Sequence, residues 1–183
     1  RHGGQWVQGL LFAPFNPPQE YAMMDQTATA VSKCEVPTDQ SVAYTLVPYE
    51  KHWPDRTYEK HLYLSVWGLR NGIVTQFQGG DIAAQILPGS DYVLRGSIAV
   101  EKTEQGDVVH VAWQAMSDGR SRIYHMYTGP ITPAQVRAGV PLQWADPYRV
   151  SQDHEPADFP SADFWDGDPF LPEPQLSIVW HGP

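Results

Sequence analysis

Two stretches of this chain alternate apolar and polar residues into an Asx-Gly pair and out again: "KHLYLSVWGL", "RNG", "IVTQFQ" and "DVVHVAWQAMS", "DG", "RSRIYHMY". Such alternation sends successive side chains to opposite faces of a strand, and Asn-Gly or Asp-Gly supplies the left-handed backbone of a two-residue hairpin turn. Two such units commit the chain to antiparallel pairing. In the second, Asp118 and Gly119 as central turn residues pair Ser117 with Arg120, Trp113 with Tyr124 and Ala112 with His125. One face then carries Val109, Val111, Trp113, Ala115, Arg122, Tyr124 and Met126; the other carries Val108, His110, Ala112, Gln114, Ile123, His125 and Tyr127. His110 and His125 become diagonal neighbours, roughly 7–8 Å apart at Cα. Two imidazoles invite a metal, but the sequence offers no third ligand, and a hydrogen-bonded His and Tyr face is the plainer expectation. Trp113, set among valines, is expected in the core rather than as a sugar platform.

The same alternation marks "SVAYTLVPY" and "YVLRGSIAVEK", with "TEQGD" as the loop before Val108. In "ITPAQVRAGVPLQW", Thr132 is an N-cap, Pro133 opens the helix, Gln135 completes a capping box and Gly139 suits the C′ position, which predicts one short helix near 133–138. The fold class expected is all-β: an antiparallel meander forming a β-sandwich, with a small or partial β-propeller as the alternative. Three regions follow. Residues 1–40 read as an irregular N-terminal segment with one or two short strands, since Thr27 and Thr29 make a helix over 19–31 a poor one. Residues 41–151 form the antiparallel core, and 152–183 an acidic, Pro-rich segment that is mostly extended loop with a closing strand at 175–180.

Over residues 108–151 the pieces "VVHVAWQAMSDG", "RSRIYHMYTG" and "LQWADPYRVS" resemble one blade of a sialidase-like (BNR-type) β-propeller. The resemblance covers about a quarter of the chain and implies a single propeller blade there. It does not carry sialidase activity with it, because "SDGRSRIY" imitates only the start of that family's Asp-box and no arginine triad can be assigned.

Charge narrows the partners. The chain of 183 residues carries a net charge of −9, and after Arg149 there is no Lys or Arg while seven acids follow. The other 14 acids face 12 bases over residues 1–149. Phosphate binding needs clustered Lys and Arg, so nucleic acid and anionic membrane surfaces are poor partners. The longest apolar run is too short for a bilayer, which takes about 20 residues. Cys34 is the single cysteine, with no neighbouring base, and reads as an inert thiol. Seven Trp, nine Tyr and 17 Pro against 18% charged residues lean toward a periplasmic or secreted protein. The start at Arg1, without a charged and apolar leader, reads as a processed form or an excised piece.

Chemistry is sought in "DHEPADFPSADFWDGDPF". Phe159, Phe164, Trp165 and Phe170 are candidate anchors for a partner protein, and Asp163 is one of the acids that would steer toward a basic surface. Asp166 and Asp168, across Gly167, offer a candidate Ca²⁺ site that lacks the spacing of an EF-hand loop. No catalytic signature accompanies them: "RGSIA" lacks the second glycine of a nucleophile elbow, and "QGG" lacks the Lys and helix of a phosphate loop. The expectation is a non-catalytic extracytoplasmic accessory or recognition subunit docking onto a larger protein assembly, without an organic cofactor. A carbohydrate-binding module that meets a glycan is the first alternative, and a glycoside hydrolase using two of the acids is the second.

Overall fold

The computed structural model describes residues 20–23, 28–31, 42–52, 58–70, 73–82, 92–117, 119–152, 157–165 and 175–182. Among them run β1 (Glu20–Met23), β2 (Ala28–Val31), β3 (Val42–His52), β4 (Tyr58–Arg70), β5 (Ile73–Asp81), β6 (Tyr92–Thr103), β7 (Gly106–Ser117) and β8 (Arg120–Tyr127). The helix α1 (Pro133–Arg137) follows, then β9 (Tyr148–Arg149), β10 (Asp158–Trp165) and β11 (Gln175–His181). All pairing is antiparallel, in three sheets, and no sheet closes into a barrel among the described residues. The protein is all-β and sandwich-like, with one short helix in the described residues.

The hairpin signals set the pairing. Arg70 pairs with Ile73 across the Asn71-Gly72 step, and Ser117 pairs with Arg120, with Gly119 at φ 69. Trp113 lies opposite Tyr124 and Ala112 opposite His125, the expected register. The sheet order is β1-β3-β4-β5, with β2 also on β3, and β6-β7-β8-β9. Helix α1 is capped as its sequence demands: the Thr132 side chain accepts from the Gln135 N–H, the Gln135 side chain returns to Thr132, and Gly139 sits at φ 85.

Alternation then decides what meets what. Tyr44, Leu46, Leu62, Leu64 and Val66 of the first sheet pack against Val109, Val111, Trp113, Ala115 and Met126 of the second, forming the main core. β6 comes close enough to β3 and β4 that a Cβ at Gly96 would lie 2.5 Å from Leu46 Cδ2 and 3.2 Å from Leu62 Cδ2, so glycine is what fits there. Buried between the sheets, the Tyr44 hydroxyl donates to Asp107 at 3.2 Å, and burial pushes the Tyr44 phenol well above its ordinary range.

The third sheet departs from expectation. Residues 158–165, read from their prolines as extended loop, form β10 and pair with β11 from Ser161↔Val179 to Trp165↔Gln175. The register shifts between Asp158 and Ser161, where Phe159 takes φ 56, so Pro160 is accommodated at a bulge rather than inside a regular ladder. Ala162, Phe164, Leu176 and Ile178 of this ribbon cover Ala99 and Ala112 on the far face of the second sheet. The second sheet is therefore the middle of three layers.

Candidate functional site

The face of the middle sheet that meets the ribbon carries a group of buried polar side chains, His110, Gln114 and His125 among them. Gln114 is buried and its amide donates to Asp158 Oδ1 at 2.6 Å and to Ser121 Oγ at 2.8 Å, while its Oε1 accepts from the Phe159 N–H at 3.3 Å. The Ser121 hydroxyl lies 2.7 Å from Asp158 Oδ1 and 2.6 Å from the Ala157 carbonyl. Nearer the middle of β6, Ser97 Oγ accepts from the Ala162 N–H at 2.9 Å. These bonds fix the ribbon by satisfying groups that would otherwise be buried without partners.

Farther along the same face, one side chain from each of the four strands joins a single hydrogen-bonded chain. Glu101 Oε2 on β6 is 3.1 Å from His110 Nε2 on β7, His110 Nδ1 is 3.2 Å from His125 Nε2 on β8, and His125 Nδ1 is 2.8 Å from the Tyr148 hydroxyl on β9. The two imidazole planes are 9° apart with centroids 5.3 Å apart, so the rings meet edge to edge rather than face to face, and their facing nitrogens point at each other. A proton fits that gap. A metal on the same axis, bonded to both nitrogens at about 2.0–2.1 Å, would need them about 4 Å apart.

Donor and acceptor roles follow from one end. A carboxylate only accepts, so His110 Nε2–H donates to Glu101, His110 Nδ1 accepts from His125 Nε2–H, and His125 Nδ1 accepts from Tyr148. Burial lowers the pKa of His110 against the raising effect of Glu101. Burial, then the charge of His110, pushes His125 down to about 4. Both histidines therefore rest neutral at neutral pH. Phe164 of the ribbon lies parallel to His110, 7° between planes and 6.0 Å between centroids, and Tyr127 stands 5.9 Å from each imidazole.

No family model, curated protein or solved structure matches this chain.

The anchors expected from sequence are distributed unevenly. Phe159 is 50% exposed at the bulge, with the Arg95 guanidinium carbon 3.5 Å over its ring centroid. Asp163 points outward on β10, whereas Phe164 turns inward against His110. Trp165 is placed by its backbone, paired with Gln175. Phe170, Asp166 and Asp168 lie outside the described residues. Among the described residues no group of three or more His, Cys, Asp or Glu could hold a metal ion, and no helix is long and apolar enough to cross a membrane. A separate cavity of about 150 Å³ beside β5, lined by Leu64, Val66, Ile82, Leu142 and Trp144 among others, is smaller than the roughly 300–1,000 Å³ of small-molecule pockets.

Sequence pairing brought His110 and His125 together but missed the chain's two ends. Glu101 was within reach of the same reasoning, because Thr103 pairs with Gly106 and the parity of β6 then puts Glu101 diagonal to His110. Tyr148 had no such signal, since β9 is two residues long and follows a proline.

Proposed function

We propose that this chain is a non-catalytic recognition or accessory module, working outside the cytoplasm, that docks onto a larger protein assembly through the outer face of the β10–β11 ribbon. Phe159 carries the reading. A bulky residue at φ 56 costs free energy, and such strain persists where the surrounding structure imposes it, most often at functional sites. Here it holds an aromatic ring half in solvent, with Arg95 fixing its inner side. Beside it the ribbon turns Ser161, Asp163, Gln175, Ser177 and Val179 outward, Val179 at 62% exposure, in a segment with seven acids and no Lys or Arg. An exposed aromatic anchor on the same ribbon face as the outward Asp163 fits a partner whose surface is basic around an apolar pocket.

The non-catalytic part draws support from the Glu101–His110–His125–Tyr148 chain, a buried constellation that resembles a relay. An imidazole held near 4 is poorly matched to proton transfer near neutral pH.

Removing residues after Ser151 is a blunt test, because it also uncovers Ala112, His110 and Gln114. Phe159→Ala combined with Asp163→Lys leaves the inner face intact. The doubly substituted protein is expected to keep its native circular dichroism and to lose association with its native assembly by at least tenfold, measured by quantitative co-purification. Undiminished association would refute the docking surface.

A second reading has its own observation. Tyr127 and Tyr148 are 42% and 49% exposed around His125, a pair of rings suited to stacking on a sugar. Glycan-array binding that disappears in Tyr127→Ala would favour a carbohydrate-binding module over protein docking, and no binding at millimolar glycan would remove it.

A further inference from the structure

We infer that the Glu101–His110–His125–Tyr148 chain is an acid-sensitive catch, and that protonating the histidine pair releases the β10–β11 ribbon from the middle sheet. As control over a partner, this rests on the docking reading above; the release itself is a property of the chain alone.

The neutral chain has one proton for each link, and both imidazoles use both nitrogens. There is no spare acceptor. A proton added to His110 must go to Nδ1, which then opposes the His125 Nε2–H across 3.2 Å and breaks that link. A proton added to His125 goes to Nδ1 and turns the Tyr148 hydroxyl around. The groups facing the pair balance one positive charge rather than two. β6 contributes the Glu101 carboxylate, β8 and β9 contribute the phenols of Tyr127 and Tyr148, and β10 contributes the uncharged ring of Phe164. The ribbon's described acids do not help: Asp158 is engaged with Gln114 and Ser121, and Asp163 points outward.

Lifting the ribbon removes Phe164 from His110 and admits water, which solvates an imidazolium. The released form thus takes up protons more readily than the closed one. An imidazole in water titrates near 6.5 and His125 in the closed form near 4, so closure is fully favoured above about pH 6.5 and weakens as the pH falls toward 4. Between pH 7.5 and pH 5, full recovery of the ordinary imidazole value by His125 sets an upper bound of about 30-fold on its shift of the balance toward release. His110, lowered as well, adds in the same direction.

Hydrogen exchange read by mass spectrometry on the isolated chain, with rates corrected for their intrinsic pH dependence, tests this without any partner. Amides of 158–165 and 175–181 are expected to lose at least tenfold protection between pH 7.5 and pH 5, reversibly, while those of β3, β4 and β7 keep theirs. His125→Gln removes the titrating group and should flatten the response. Glu101→Gln, at a half-buried site that keeps an acceptor for His110, removes the charge that eases protonation in the closed form, so release should move to higher pH. Ribbon protection unchanged down to pH 5, protection lost from all strands together, a native response in His125→Gln, or an unmoved midpoint in Glu101→Gln would each overturn the inference. Loss of partner binding by Phe159→Ala and Asp163→Lys is a separate result and leaves this one standing.

Discussion

Replacing Phe159 by alanine and, separately, by glycine isolates the backbone strain at the bulge. Both substitutions delete the ring, its contact with Arg95 and its share of buried surface, so those losses cancel in the comparison. What remains is the Cβ. At φ 56 an L-residue carries a penalty of roughly 1–2 kcal/mol that glycine escapes. Glycine in turn gives up roughly 0.5–1 kcal/mol more chain entropy on folding. The balance makes Phe159→Gly more stable than Phe159→Ala by about 0.5–1 kcal/mol. At an ordinary strand position the order reverses by a similar amount, so the sign is diagnostic. Urea denaturation resolves it: with a slope of about 1–3 kcal/mol per molar, the glycine variant's midpoint should lie roughly 0.2–1 M above that of the alanine variant. Equal midpoints, or a more stable alanine variant, would refute the claim that the ring is held outward at a conformational cost. Phe159 would then no longer mark a docking anchor.

Trp113→Ala empties the centre of the main core, where the indole is 1% exposed and lies 5.8 Å from the Tyr124 ring, and is expected to cost roughly 3–5 kcal/mol by the same urea assay. A loss under about 1 kcal/mol would place that ring elsewhere. Thr132→Ala removes the N-cap and one half of the capping box of α1, for a loss of about 1 kcal/mol, with faster exchange confined to the helix amides and none added in β10 or β11.

How much of this was readable in advance varied with how local the cause is. The register of β7 on β8 needed only a two-residue turn and the period of a strand, and α1 needed only Thr132, Pro133, Gln135 and Gly139, all within one short stretch. The burial of Trp113 followed from its neighbours on the same face. Strand β10 was hidden by Pro160, which argues against a regular strand and is tolerated because the ladder shifts there and Phe159 absorbs the irregularity. The ribbon's seat on the middle sheet depends on pairs such as Ala162 with Ser97 and Asp158 with Gln114, tens of residues apart, which no local pattern announces. The same holds for Tyr148, whose partner His125 belongs to a strand separated from it by a helix and two loops.

The middle position of the β6–β9 sheet also governs how this sequence can change. Every residue of β7 from Asp107 to Ala115 is buried, because odd positions meet the first sheet and even positions meet the ribbon. A strand with two covered faces has no free side on which to accept replacements, so its alternation is one of kinds of constraint: volume toward the core, hydrogen bonding toward the ribbon. In β11, by contrast, exposed and half-buried positions alternate from Gln175 to His181. Sequence drift under this fold should therefore be nearly silent along β7 and run with a period of two along β11, leaving the outermost layer as the place where new specificities arise at least cost to the rest.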